Sequence, residues 1–167
     1  MENGTGVFVE KQKMSFWWVW IIVIASVAFA WYLFIGQIIL GHQLGSKPAP
    51  DFIIFIVWVT TGILFPLIFL SIRLSVRVAH EGVFYRFFPF QMKERIIAFS
   101  EIVSAEAVEY KPILEYGGWG IRRGKNGWAY TMTGKRGVRI TTAAGKTILL
   151  GSLKADELAN AINSLRK

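Results

Sequence analysis

The residues able to do chemistry are few, and their spacing does not gather them. Cysteine is absent, which excludes thiol nucleophiles, disulfides and thiolate metal sites. The two histidines, His42 and His80, show neither the His-x-His nor the His-x-x-x-His spacing that would set two imidazoles on one metal. Both are expected at the surface. Gly145-Lys146-Thr147 is the nearest approach to a phosphate-binding loop, which needs a glycine five positions before the Gly-Lys pair. Ile140 stands there. Gly118, Gly120 and Gly124 form no dinucleotide fingerprint, because no helix opens after them. Glu101, Glu106 and Glu109 share one face of a strand only if a bulge intervenes, and solvated carboxylates are the expectation. Trp119 is expected to pack over the glycine-rich turns, and Trp128 either to pack or to serve as a ligand platform. No catalytic residues, cofactor or metal are expected.

One electrostatic feature stands out. Between Tyr116 and Ala155 there are eight basic residues and no acid. Arg122, Arg123, Lys125, Lys135, Arg136, Arg139 and Lys146 are the candidate binding residues, with Lys154 the eighth. The formal charge of the whole chain is +8. Carried on hairpin turns, these side chains are expected to gather into one patch. Its partner would be an anionic lipid surface, where each cation contributes about 1 kcal/mol, or an acidic protein. Nucleic acid is not expected, because no recognised nucleic-acid signature accompanies the charge.

The elements that would position this stripe begin in a different solvent. Apolar residues make up 53% of the 167, above the roughly 45–50% of soluble domains. The excess lies in two runs free of charge, 16–40 and 52–72. At 1.5 Å per residue each is long enough to cross a hydrocarbon core of about 30 Å as a helix. Pro66 is expected to kink the second. The short link from Gly41 to Asp51 makes them an antiparallel hairpin. Lys11, Lys13, Arg73 and Arg77 flank its open end, and Lys47 alone lies in the link. The positive-inside bias then places both termini and the region after the hairpin in the cytoplasm. Trp17, Trp18 and Trp20 suit an interfacial belt, and Gly62 and Ser26 are small enough for helix contacts. Ala28-Phe29-Ala30 has the small-x-small pattern of a signal cleavage site, but the apolar run continues past it. Asn3-Gly4-Thr5 matches a glycosylation sequon, idle on the cytoplasmic side.

Past Arg73 the period becomes two. Leu74, Val76 and Val78 alternate with Ser75, Arg77 and Ala79, and Glu81-Gly82 turns the chain into Val83–Phe88, giving a hairpin. Further strands are expected over 94–99, 102–110, 119–122, 128–133, 138–142 and 147–150, with a break at Pro112. Ser152 is the expected cap of a closing helix, with Asp156 and Glu157 in its first turn and Leu158, Ile162 and Leu165 on its apolar stripe.

This arrangement resembles the bacterial membrane proteins that couple a transmembrane hairpin to a PH-like domain. The likeness rests on the hairpin and on the strings 81–90, 99–105, 116–122 and 134–138. Gly117-Gly118-Trp119-Gly120-Ile121-Arg122 is the most specific of them, and the closing helix completes the match. The resemblance implies a fold and a location, not an activity. The expected fold is an α+β membrane protein. A flank over 1–15 and a hairpin over 16–72 precede a cytoplasmic, antiparallel PH-like β-barrel over 73–167, plugged by its C-terminal helix. The expected function is a non-enzymatic, membrane-anchored module whose basic face, 122–154, orients on anionic lipid or docks an acidic partner. The alternative is a structural subunit that assembles through its hairpin, with the head as a stabilising cap.

Overall fold

A computed structural model describes residues 7–42, 45 and 47–166. The sequon at residues 3–5, part of the hairpin link and Lys167 lie outside the described residues. The chain divides into two units, Ser15–Ser71 and a head made of Met1–Met14 with Ile72–Lys167.

The first unit contains helices α1 (Trp17–Ile39) and α2 (Asp51–Ser71), both long and apolar enough to cross a membrane. Most of their large side chains point away from the protein. Ile21, Ile22, Phe29, Leu67 and Leu70 are all more than half exposed, which suits lipid and not water. The helices meet where Gly62 is buried against Ala30 and Trp31. Phe34 stacks on Trp58 at 4.1 Å, and Trp31 meets the same indole edge-on at 5.3 Å. Ser26 instead donates its hydroxyl to the Val23 carbonyl within its own helix. Residues 58–64 of α2 widen into π-helical turns. They lie where the Pro66 ring would meet the Gly62 carbonyl in a regular α-helix. At the link end Gln37 donates to the Ala49 carbonyl at 2.6 Å and to the Asp51 carboxylate at 2.8 Å. That accounts for a glutamine in an apolar run.

The head is built from two sheets. The first has the order β1 (Phe8–Lys13), β2 (Arg73–Ala79), β3 (Gly82–Phe88), β4 (Arg95–Ala98), all antiparallel. The second contains β5 (Ile102–Glu109), β6 (Gly120–Gly124), β7 (Gly127–Thr131), β8 (Arg136–Thr142) and β9 (Thr147–Gly151), in the order β5-β8-β9-β7-β6. Helix α3 (Pro112–Tyr116) follows β5, and α4 (Ala155–Leu165) follows β9.

This arrangement corrects the expected closed antiparallel barrel. β4 ends at Ala98, a single 3₁₀ turn over Phe99–Glu101 intervenes, and β5 pairs with β8 instead of continuing the first sheet. Both sheets therefore keep open edges. The β7–β9 pair is also parallel. The closing helix does not plug a barrel mouth: α4 packs on β5 and β8 and also reaches β1 and β2. The buried side chains come from both sheets and from α4. Leu74, Val76, Val78, Val83, Val138, Ile140, Leu150, Leu158 and Ile162 are 0–1% exposed. A fully buried side chain of this size contributes about 1.5–3 kcal/mol relative to leaving it in water.

Two details depart from the sequence reading for physical reasons. Ser152 is not the helix cap, since α4 begins three residues later. Its hydroxyl donates to the Glu10 carboxylate of β1. Glu10 also accepts from the Leu153 backbone N–H at 2.9 Å and from the Gln12 amide at 3.1 Å, while Gln12 donates to the Gly151 carbonyl at 2.8 Å. This buried network ties β1 to the β9–α4 turn. Pro112 marks the expected break, β5 having ended at Glu109, but it also opens a helix, α3, that the sequence reading did not place. Proline suits the first helical turn, and Gly117 ends the helix in a left-handed conformation.

Candidate basic cleft between the two sheets

Residues across β6, β7 and β9 share a face in register. Arg123 stands opposite Trp128 and Ile121 opposite Tyr130; Trp128 in turn pairs with Ile148. Tyr130 meets Tyr85 of the first sheet, ring centroids 4.8 Å apart. Tyr85 is in register with Arg95 of β4, whose guanidinium donates to the Tyr130 hydroxyl at 3.2 Å. Between these walls lies a cleft of about 610 Å³. Among the described residues its charged lining is Arg95, Arg123, Lys125 and Lys146, with no carboxylate.

Two hairpin turns meet at its mouth. Lys125 and Asn126 form the two-residue turn between β6 and β7, and Lys146 sits in the turn before β9. Gly127 fixes their approach. Its φ is +103°, and a Cβ there would overlap the Thr147 carbonyl oxygen. Trp128 remains 45% exposed on the wall of the cleft. Burial pushes the Tyr85 hydroxyl up to about 12, with Tyr130 raising it further and Arg95 opposing. The phenol is therefore a neutral hydrogen-bonding group at any physiological pH. Glu101 lines an adjoining cleft of about 370 Å³ that shares Tyr85, Lys146 and Ile148.

The stripe therefore does not form one patch. Arg123, Lys125 and Lys146 reach the cleft. Arg136 pairs with Asp156 of α4 at 2.9 Å, and Arg139 approaches Glu115 of α3 at 3.9 Å. Lys154 pairs with Glu157 at 3.3 Å. Lys135 is exposed in the turn before β8. Arg122 donates to the Trp119 carbonyl at 3.2 Å and lines a separate apolar groove of about 380 Å³ with Met14, Ile72, Phe87 and Phe90. Trp119 is half-buried and donates its indole N–H to the Gly134 carbonyl at 2.7 Å. Glu106 and Glu109 lie opposite Arg139 and Arg136 in the β5–β8 register. Among the described residues no ion pair holds Arg95, Arg123, Lys125 or Lys146.

The sequence reading missed Arg95, Tyr85 and Tyr130 as parts of this site. Register is the signal that joins them, and the loop from Pro89 to Glu94 is too long for its sequence to fix the β3–β4 register. Among the described residues no cluster of His, Asp or Glu could hold a metal ion.

None of the curated proteins matches the chain. The chain, with its two apolar helices and β-sheet head, matches the family of unknown function DUF6141 over residues 1–166 and belongs to that family.

Proposed function

We propose that this protein is a non-enzymatic, membrane-anchored binding module. Its hairpin spans the bilayer with both termini and the head in the cytoplasm, and the head uses its basic cleft to orient on anionic lipid. The observation that carries this reading is the cleft itself, four cations with no carboxylate in the lining. A tethered head needs little intrinsic affinity, because the anchor holds the lipid surface at high effective concentration. The cationic flanks of the hairpin support the topology. The hairpin and the sequence strings 81–90, 99–105, 116–122 and 134–138 support kinship with PH-domain membrane proteins, with two open sheets in place of a closed barrel.

Because the chain has no cysteine, single-cysteine variants read topology without background. Lys47→Cys is expected to label from outside intact cells and Asn160→Cys only after lysis. The lipid reading is tested on the full chain in nanodiscs of neutral lipid, or of neutral lipid mixed with phosphatidylglycerol. Amide exchange at 123–128 and 144–148 is expected to slow in the anionic discs and to recover in high salt. Equal exchange in both lipids would contradict the reading and direct the search to an acidic protein partner. Truncating the head at residue 76 would remove β1 and part of β2, so the whole chain is the proper sample.

A further inference from the structure

We infer that the cleft is a discrete site for one phosphomonoester or diphosphate group, not simply part of a charged surface. This inference rests on the lipid-orienting reading of the same cleft and narrows its ligand. A flat anionic surface needs no concavity, yet a half-open cleft of about 610 Å³ is present here, within the range of small-ligand sites, about 300–1,000 Å³.

Charge sets the ligand class. Arg95, Arg123, Lys125 and Lys146 converge without a compensating carboxylate in the lining, while Arg136, Arg139 and Lys154 each have one. Four gathered cations repel one another. A phosphodiester brings one negative charge, whereas a phosphomonoester brings about 1.5–2 and three acceptor oxygens. Arg95 is held by the Tyr130 hydroxyl at 3.2 Å, which leaves most of its five donors for a ligand and reduces the ordering cost of binding. Trp128, in register with Arg123 and 45% exposed, offers an apolar face for whatever carries the phosphate. The Glu101 carboxylate lines only the adjoining cleft, where it offsets part of the positive charge at the shared Lys146.

The chemistry is shared by a phosphomonoester lipid headgroup and by a free organic phosphate, and two arms of one experiment separate them. The full chain in neutral nanodiscs is titrated calorimetrically with inorganic pyrophosphate. The chain is also placed in discs containing phosphatidic acid or phosphatidylglycerol matched for total charge, and amide exchange is read at the cleft. Either saturable one-site binding of pyrophosphate or greater protection by phosphatidic acid than by phosphatidylglycerol supports the inference. The first points to a free phosphate and the second to a lipid. Lys146→Gln, at an exposed turn, is expected to weaken the response about tenfold, and Arg136→Gln to leave it within about twofold. Arg123→Gln is the second variant should Lys146→Gln disturb folding. Unsaturable pyrophosphate binding with equal protection by the two lipids would overturn the discrete site while leaving the lipid reading intact. No protection by either lipid and no pyrophosphate binding would overturn both.

Discussion

Arg123 and Arg139 both stand on strands of the second sheet within one acid-free stretch of sequence, yet the fold treats them oppositely. Arg139 meets Glu115, which α3 brings from outside the stretch, and Arg136 likewise meets Asp156 of α4. Arg123 shares its face with Trp128 and opens on a cleft whose other cations are Arg95, Lys125 and Lys146. Charge counted along the chain therefore does not predict charge felt in space. Folding brings acids from the two flanking helices to some cations and other cations to the rest. What makes Lys125 and Lys146 candidates for binding is the company they keep, and that company depends on register.

The comparison can be broken at the cleft wall. Gly127→Val would place a side chain against the Thr147 carbonyl at a backbone conformation that L residues rarely adopt. A loss of about 4 kcal/mol in unfolding free energy is expected from overlap and strain together, read by thermal unfolding. Wild-type stability in that variant would show that the β7–β9 approach is not fixed as described.

The next largest effect belongs to a carboxylate whose partners are neutral. Glu10 accepts from Ser152, Leu153 and Gln12 in a buried setting. Glu10→Ala is expected to cost about 3 kcal/mol by stranding those donors. Asp156→Ala, which removes a carboxylate from an exposed ion pair, is expected to cost less than about 1 kcal/mol. Similar losses in chemical denaturation would erase the distinction between buried and surface carboxylates.

Alkaline titration sharpens the picture of the buried tyrosines, Tyr85 at the cleft and Tyr110 in the core. The Tyr85 and Tyr110 hydroxyls are both pushed up to about 12, chiefly by burial. The unfolded chain releases these protons near pH 10 and the folded chain near 12. Their contribution to stability is thus full below about pH 10 and is lost as pH rises toward about 12. Phenolate absorbance should show late-titrating tyrosines, and Tyr85→Phe should remove one of them. Ionisation of every tyrosine near pH 10 in folded protein would contradict the burial of Tyr85 and Tyr110.

Smallest of all is Arg136→Gln. Its exposed pair with Asp156 should contribute about 0.5 kcal/mol or less, and the midpoint of unfolding should barely move. A large loss would mean that the paired cations are structural and not merely neutralised.

The fold was legible where hydrophobic period and burial agree. β2 and β3 lie where alternation puts them, and both apolar helices start and stop within a residue of the expected runs. β1 escaped because its pattern is inverted: Glu10 and Gln12 face inward while Val9 is exposed. Only the partners waiting at Gly151, Ser152 and Leu153 make that arrangement tolerable. The number of strands was close to the nine observed among the described residues, but a count does not fix pairing. The β7–β9 parallel contact joins strands separated by β8 in sequence, and nothing in the local pattern announces it. The candidate site was legible in part. Arg123, Lys125 and Lys146 were within the basic stripe, whereas Arg95 enters through its register with Tyr85.

In the proposed function the cleft cations, and not the paired ones, hold the head to an anionic surface. The most direct measurement is the depth of a single label at Asn126→Cys, on the turn beside Lys125, with the full chain in neutral and anionic discs. Collisional quenching from the aqueous phase should fall in anionic lipid for the parent chain and for Arg136→Gln. It should not fall when Arg123→Gln and Lys146→Gln are combined. Protection that survives the cleft variant, or that disappears equally in Arg136→Gln, would contradict the account.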